Sequence, residues 1–494
     1  MEIEKSMALL QLMGNVGLVP SLEEEIKRRN IIDKLRKIVM KWAKRVAYQR
    51  RLPNSYIRAS SATVVVYGSY GLGVHDHESG IDALCVGPSF ATMAEDFFIV
   101  LKNMLMSRPE VSEVLCFKDA EVSLMRLSFD GISVDLTYAK LNIIAVPENV
   151  DLANPLFSSN TDDMSLRSLS CVCANKRILE LVPNIEVYQS LLRCVKFWAK
   201  RRGIYGKELG LFGGVNLGVL AAFVCRKQPS ASLSVLVSSF LQTFAFWPWP
   251  TPVILEDDVM PLQADDVFLE KILIPIQLPC SPNEYCNSYF TRSTFNRIRK
   301  EFLHGYNLTK DIFCRDFDWK LLFEPFPYVK TYNRFLKICI SSLKNDELGD
   351  WAGLVKSCMS ALLIKLEEVQ GFCDPNPTEY VDSELFEPHV IFCWGLCPGR
   401  SNVISVDSIK EEFTRIILAG YEGTIGRIDL RVVKASEFPK TNTDSRKKGP
   451  TRPCWRVLDE NEWNIRVYSR HVPEYLVGYT SVNGDAAGYP GVAL

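Results

Sequence analysis

The sequence predicts an α+β fold in several parts, and three observations carry that reading. Its 494 residues are 47% hydrophobic, enough for about three domains of about 150 residues each. Four β-rich runs, interrupted by one helical segment, fall between Ala62 and Tyr138. From about residue 155 to 320 the apolar spacing is mainly helical, and after Pro325 strand and helix patterns alternate again, which suits a small α+β domain.

The elements follow in order. Ser21 and Glu24 form a capping box after Pro20, and Ile26, Leu35, Val39 and Trp42 give a long basic helix its apolar stripe, ending near Pro53. Ala62 to Tyr67 reads as a strand broken by Gly68 and Ser69; a glycine- and histidine-containing turn leads to a second strand, Ile81 to Val86. Phe97, Val100, Leu101 and Leu105 mark a helix, and Glu121 to Phe129 and Gly131 to Tyr138 are two further strands. Val187, Leu191, Val195 and Trp198 recur at helical spacing until Gly203, and an apolar helix runs from about Gly214 to Cys225. The prolines of FWPWP, Pro252 and an acidic stretch from Glu256 to Asp258 mark a break before the extended Leu273 to Leu278. The last part reads strand (Phe335 to Ser341), helix (Trp351 to Val369), strand (Val390 to Leu396), helix (Ser408 to Leu418) and two strand-like stretches. Beyond Tyr479 no core pattern remains, so the tail is expected to be disordered.

Composition narrows the partners. With 57 basic and 58 acidic residues, any nucleic-acid surface has to be a local patch. Fifteen cysteines spread through apolar segments, with no signal-peptide pattern, point to a reducing intracellular compartment. No apolar run reaches the roughly 18 residues a membrane span needs, and no membrane partner is expected. Pairs of CxxC with zinc spacing do not occur, which argues against structural zinc. Cys171 with Cys173 and Cys393 with Cys397 read as core positions, and the five histidines are scattered apart from His75 and His77.

Chemistry concentrates in the first sheet. Gly68-Ser69 closes a strand where backbone N–H groups and a hydroxyl can approach a phosphate, although such a pair occurs in many turns. A dozen residues on stands Gly80-Ile81-Asp82, and Asp135 shares a polar strand face with Ser133 and Thr137 against Ile132, Val134 and Leu136. The stretch GSYGLGVHDHESGIDALCVG resembles the nucleotidyltransferase motif of eukaryotic poly(A) polymerases, and FDGISVDLTYAKL resembles the family's third-aspartate strand. RCVKFWAKRRGIYGKELGLFGGV, LVPN, FWPWPTPV and LIPIQLP resemble later landmarks in the family's order. The resemblance covers roughly residues 5 to 440 and lacks the long basic C-terminal tail of many members.

That resemblance implies addition of AMP from ATP to the 3′ end of RNA, in mRNA polyadenylation. The architecture it implies is a nucleotidyltransferase palm at 56–155, preceded by N-terminal helices (1–55) that pack with a helical middle domain (156–322). An RNA-recognition-like, RNA-binding domain (323–475) and a tail (476–494) follow. Asp82 and Asp135 would be the catalytic, metal-holding carboxylates for two magnesium or manganese ions. ATP would contact Tyr67, Gly68, Ser69, Asp76, Gly80, Ile81, Asp82, Asp135, Lys196, Tyr205, Gly214 and Val215. RNA phosphates would meet the basic helices Lys27 to Arg51 and Arg193 to Lys207. Partners implied are the RNA 3′ end and pre-mRNA 3′-end processing factors, with a monomeric chain in the nucleus; a cytoplasmic form stays open because RKKGP (446–450) is a short signal.

Several positions depart from the family. Gly80 stands where the first catalytic aspartate belongs, Gly71 replaces an Arg, Lys207 a base-contacting Asn, and Ser170 an Asn. Two other readings follow from these: a catalytically impaired scaffold for RNA or processing proteins, and a transferase preferring another base. Asp76 or Glu78 could bend in to supply the missing oxygen, and Gly80→Asp is expected to raise activity.

Overall fold

The computed structural model describes residues 1–439, apart from 119–121, 153, 155–156, 158–160, 257–271, 281–284, 287–288, 383–384, 398–405, 420–422 and 424. The expected tail and RKKGP lie outside the described residues.

The first sheet has the order β1-β2-β5-β4-β3, with β1 Thr63–Tyr67, β2 Ile81–Gly87, β3 Val111–Phe117, β4 Leu124–Phe129 and β5 Ile132–Lys140. Only β2 and β5 run parallel; the other neighbours are antiparallel. β4 and β5 are joined by the two residues Asp130 and Gly131, both at positive φ (49° and 77°), the geometry of a tight hairpin turn that Asp-Gly favours. Because strand side chains alternate, Val64, Ile81, Ala83, Met125, Leu127, Val134 and Leu136 face one core, and Leu84, Val86, Ala139 and Leu141 face another. Helix α2 (Leu22–Gln49) covers the first face with Ile31, Leu35, Val39 and Trp42. Helix α4 (Asp163–Leu181) covers the second with Leu169 and Val172.

The N-terminal signals hold in detail. Ser21 Oγ accepts from the Glu24 N–H at 3.3 Å while Glu24 accepts from the Ser21 N–H at 2.7 Å, closing the capping box. Ile26 is the exception to the expected stripe: it is 50% exposed, one turn before the helix meets the sheet. The segment marked by Phe97 and Leu101 is a π-helix, Met93–Leu101. The Phe97 N–H reaches back five residues to Thr92 O, and the Asp96 carbonyl receives Trp42 Nε1 at 2.8 Å.

Helix α1 (Glu2–Asn15), which the sequence reading did not separate, packs on the middle helices. These are α5 (Ile185–Arg201), α6 (Gly214–Lys227), α7 (Leu233–Ala245) and α8 (Arg292–Thr309). A short helix, α3 (Gly68–Gly71), follows β1. Helix α5 ends where Gly203 adopts φ 68°, as the sequence suggested.

The C-terminal sheet is antiparallel, in the order β7-β8-β6-β9: β6 Arg334–Ser341, β7 Cys373–Asp374, β8 His389–Leu396 and β9 Arg427–Lys434. The single helix expected from Trp351 to Val369 is two, α9 Asn345–Ser357 and α10 Met359–Gln370, parted at Cys358 (ψ −1°). They and α11 (Val406–Leu418) pack on one sheet face. Phe335, Ile391 and Cys393 on the opposite face are covered by Tyr328 and Tyr380, so aromatic stacking of bases is closed off there. A buried ion chain ties this sheet to the middle helices: Arg202 bonds Glu301, Arg297 bonds Glu301, and Arg297 Nε reaches Asp374 at 3.0 Å.

The loop from β1 to β2 is held by α2. Buried Arg28 donates to the carbonyls of Ser79 (2.9 Å), Asp76 (3.2 Å) and His77 (3.1 Å). Replacing it orphans three acceptors and leaves a void. Arg28→Leu is expected to cost about 3 kcal/mol in urea unfolding; a loss within experimental error would show that the loop holds itself.

Candidate active site

The strand registers line up four side chains across four strands. Tyr67 pairs with Asp82, Asp82 with Asp135, and Asp135 with Arg126, so all four lie on one sheet face. This row forms the floor of a cavity of 1930 Å³ between the first sheet and the middle helices. Of the residues expected to contact ATP, Tyr67, Gly68, Ser69, Gly80, Ile81, Asp82, Asp135, Lys196, Tyr205, Gly214 and Val215 all line that cavity. Asp76 does not; it lines a second cavity behind it.

Gly68 is required by Asp82. At φ 64°, a Cβ on Gly68 would lie 1.9 Å from Asp82 Oδ2, so a side chain there would both strain the backbone and displace that carboxylate. The gap lets the Ser69 N–H bond the Asp82 carboxylate at the start of α3. Asn175 of α4 holds the same turn by donating to Gly68 O at 3.0 Å. Tyr67 extends the row, its hydroxyl 3.4 Å from Thr137 Oγ1, and burial pushes that phenol well above its usual range.

Two carboxylates side by side set the electrostatics. Burial first, then the Asp135 charge, pushes Asp82 up to about 6, with Lys196 and Arg126 pulling the other way. Arg126 grips Asp135 as a fork, Nε to Oδ1 and Nη2 to Oδ2, both at 2.5 Å, and lies 5.4 Å over the Phe117 ring. On the facing wall, Lys196 is buried in α5, and burial followed by neighbouring Lys200 lowers it to about 8. Lys200 Nζ lies 5.6 Å over the Tyr205 ring, and Gly214 admits the Tyr205 hydroxyl, which would be 3.3 Å from any Cβ there.

The donor set fits one divalent ion. Asp82 carries an unmet demand for positive charge, and Asp135 shares the same cross-strand position. Among the described residues no group of three His, Cys, Asp or Glu side chains is placed to hold a metal, so Asp82 and Asp135 are the two carboxylates a divalent ion would meet on this face. Asp76 is committed elsewhere: it accepts from Ser79 Oγ at 2.6 Å and from Lys200 Nζ at 3.2 Å. Burial would raise its pKa, but Lys200 and Ser79 outweigh that and hold it at about 2, below its ordinary 3.8. Glu78 does line the main cavity, and of the two loop carboxylates it alone faces the row.

Gly80 is more than a missing carboxylate. A Cβ at residue 80 would stand 2.9 Å from the backbone oxygen of Ser133, so β2 and β5 have closed into the space an aspartate side chain needs. In Gly80→Asp the backbone at residue 80 or at Ser133 has to shift before the new carboxylate can reach an ion. At Gly71 a Cβ would meet Val66 O at 3.0 Å, so an Arg there is disfavoured on the same ground. Lys207 and Ser170 line the cavity. Arg126 escaped the sequence reading.

Comparison with known proteins shows the family of the chain. Residues 1–182 match the poly(A) polymerase nucleotidyltransferase domain, and residues 187–325 match the poly(A) polymerase central domain. The chain is 53% identical to nuclear poly(A) polymerase 3 of Arabidopsis thaliana over 98% of its own length and 96% of that relative's. It is 35% identical to Arabidopsis nuclear poly(A) polymerase 1 over 89% of its length, and 33% identical to the poly(A) polymerase of Dictyostelium discoideum over 84%. Of those two longer relatives it spans 64% and 54%.

Arg126→Gln removes a positive charge from the carboxylate pair and is expected to raise Mn²⁺ affinity about tenfold, about 1.4 kcal/mol, by electron paramagnetic resonance titration, whereas Gly80→Asp is expected to cost about 1 to 3 kcal/mol of stability. Asp76, its pKa depressed in the fold, contributes stability that is present above about pH 4 and lost as pH falls through about 2. Asp76→Asn should remove about 2 kcal/mol of that acid-sensitive stability, read from unfolding across this window.

Proposed function

The chain belongs to the poly(A) polymerase family, and we propose that it adds AMP from ATP to the 3′ end of RNA using one carboxylate pair, Asp82 and Asp135. The observation that carries this is their alignment on adjacent parallel strands in the main cavity, facing Lys196. The RNA 3′ oxygen attacks the α-phosphorus of ATP, the bond from that phosphorus to the bridging oxygen breaks, and pyrophosphate leaves.

The chain's own groups take distinct parts. The Ser69 backbone and hydroxyl, freed from obstruction by Gly68, approach the triphosphate. Lys196 meets it as a point charge, and a bound triphosphate favours the charged form of that buried amine. Tyr205 and the Gly214-Val215 turn shape the nucleotide pocket, with Tyr67 at the end of the carboxylate row. A divalent ion, magnesium or manganese, held by Asp82 and Asp135 would supply Lewis acidity, lowering the pKa of the RNA hydroxyl and offsetting charge on the leaving group. Arg126 keeps Asp135 oriented and compensated while ATP is absent. The names of the relatives support a nuclear setting. RNA contacts through the basic faces of α2 and α5 are consistent with the cover over Phe335 and Ile391.

A second reading is favoured by Gly80 and by the Arg126 fork: a retired polymerase that still binds RNA. Primer extension decides between them, using the full chain, an oligoadenylate primer, ATP and either Mg²⁺ or Mn²⁺. Wild type is expected to extend, and Asp135→Asn and Asp82→Asn to lose at least about 100-fold, equivalent to about 2.7 kcal/mol of barrier. Primer binding without extension in either metal would hand the chain to the scaffold reading. Preference for another nucleoside triphosphate in direct competition would reassign the base.

A further inference from the structure

Behind the carboxylate row lies a second cavity of 660 Å³, walled by α1, α5, the β1–β2 loop and the segment around Phe317 to Tyr328. It adjoins the main cavity: Val74, Glu78, Lys196 and Lys200 line both. Helix α5 runs along the boundary, and its successive turns place Lys196, then Lys200 and Arg201, on one side. At the boundary Lys200 holds Asp76 at 3.2 Å. Farther in, the cations bond carbonyls instead of carboxylates. Arg201 Nε donates to Phe323 O at 2.8 Å, and Lys5 Nζ to Phe317 O at 3.1 Å. Among the described residues neither Arg201 nor Lys5 is seen in an ion pair. Burial, then neighbouring Arg202, lowers Arg201 to about 10, as expected of a cation whose charge is not fully compensated.

Six lysine and arginine side chains line the cavity against the carboxylates of Asp76, Glu78 and Asp318, an excess of positive charge that suits a small, multiply charged anion. Its apolar walls, Phe197, Phe317 and Trp319 among them, strengthen charge interactions inside, and its volume excludes the macromolecular substrate. We propose that this second cavity binds the pyrophosphate released from ATP, which passes from Lys196 across the Lys200–Asp76 pair to Arg201 and Lys5. The assignment rests on the AMP-transfer reading, which generates pyrophosphate beside Lys196 while RNA occupies the open mouth of the main cavity. No covalent step is involved: the diphosphate moves along a row of cations, and Asp76 takes Lys200 back once it has passed.

The test is calorimetric titration of the full chain with inorganic pyrophosphate and, separately, with a non-hydrolysable ATP analogue. It compares wild type with Arg201→Gln, Arg201→Lys and Lys5→Gln, each checked by its melting curve. Arg201→Gln is expected to weaken pyrophosphate at least about fivefold while changing the ATP analogue less than about twofold, with Arg201→Lys recovering most of the loss. Lys5→Gln should act in the same direction and carries the test if Arg201→Gln melts early. Pyrophosphate affinity unchanged in both glutamine variants, or loss of pyrophosphate and ATP analogue by the same factor, overturns the proposal. Because the titration needs neither RNA nor turnover, a chain that binds pyrophosphate through Arg201 yet never extends a primer sinks only the enzymatic reading.

Discussion

Two like charges held side by side in a half-closed cleft are the constraint from which the rest of the site follows. The parallel pairing of β2 with β5 places Asp82 opposite Asp135, and at about 4 Å two unit charges repel by about 4 kcal/mol at an effective dielectric of 20. Each neighbour relieves some of that. Arg126 forks onto Asp135, the Ser69 N–H bonds Asp82, and Lys196 faces both from α5. With Arg126 counted, the row of Tyr67, Asp82, Asp135 and Arg126 carries one net negative charge. The absent carboxylate at residue 80 and the guanidinium at residue 126 are therefore parts of one electrostatic arrangement.

The loop carrying residues 75–79 shows how the N-terminal helices matter to a site they do not line. From one side α2 grips it through Arg28 and through Glu25, which bonds His75; from the other, Lys200 of α5 takes Asp76. The sheet and the middle helices are thus joined through a short, well-anchored segment that ends at the start of β2.

Much of this was legible in the sequence. The capping box, the strand ends at Tyr67 and Ile81 and the stop at Gly203 are local signals, and local structure obeyed them. Even Arg126 could have been found: an Asp-Gly turn of two residues at 130–131 makes Phe129 face Ile132, and counting outward sets Arg126 opposite Asp135. What could not be read depends on packing at a distance. Strand β3 hides its alternation behind a register shift at Ser112 to Leu115, where Glu113 takes φ 54°. The direction of Asp76 was set by a lysine 124 residues away. The closure around Gly80 was set by a carbonyl on another strand.

The buried chain of Arg202, Glu301, Arg297 and Asp374 has a mechanical consequence. All four side chains are at least nine-tenths shielded from solvent, and separating such pairs leaves uncompensated charge at about 3 to 5 kcal/mol apiece. The chain therefore resists separation of the C-terminal sheet from the helical middle, so that these two parts hold together as one packed unit.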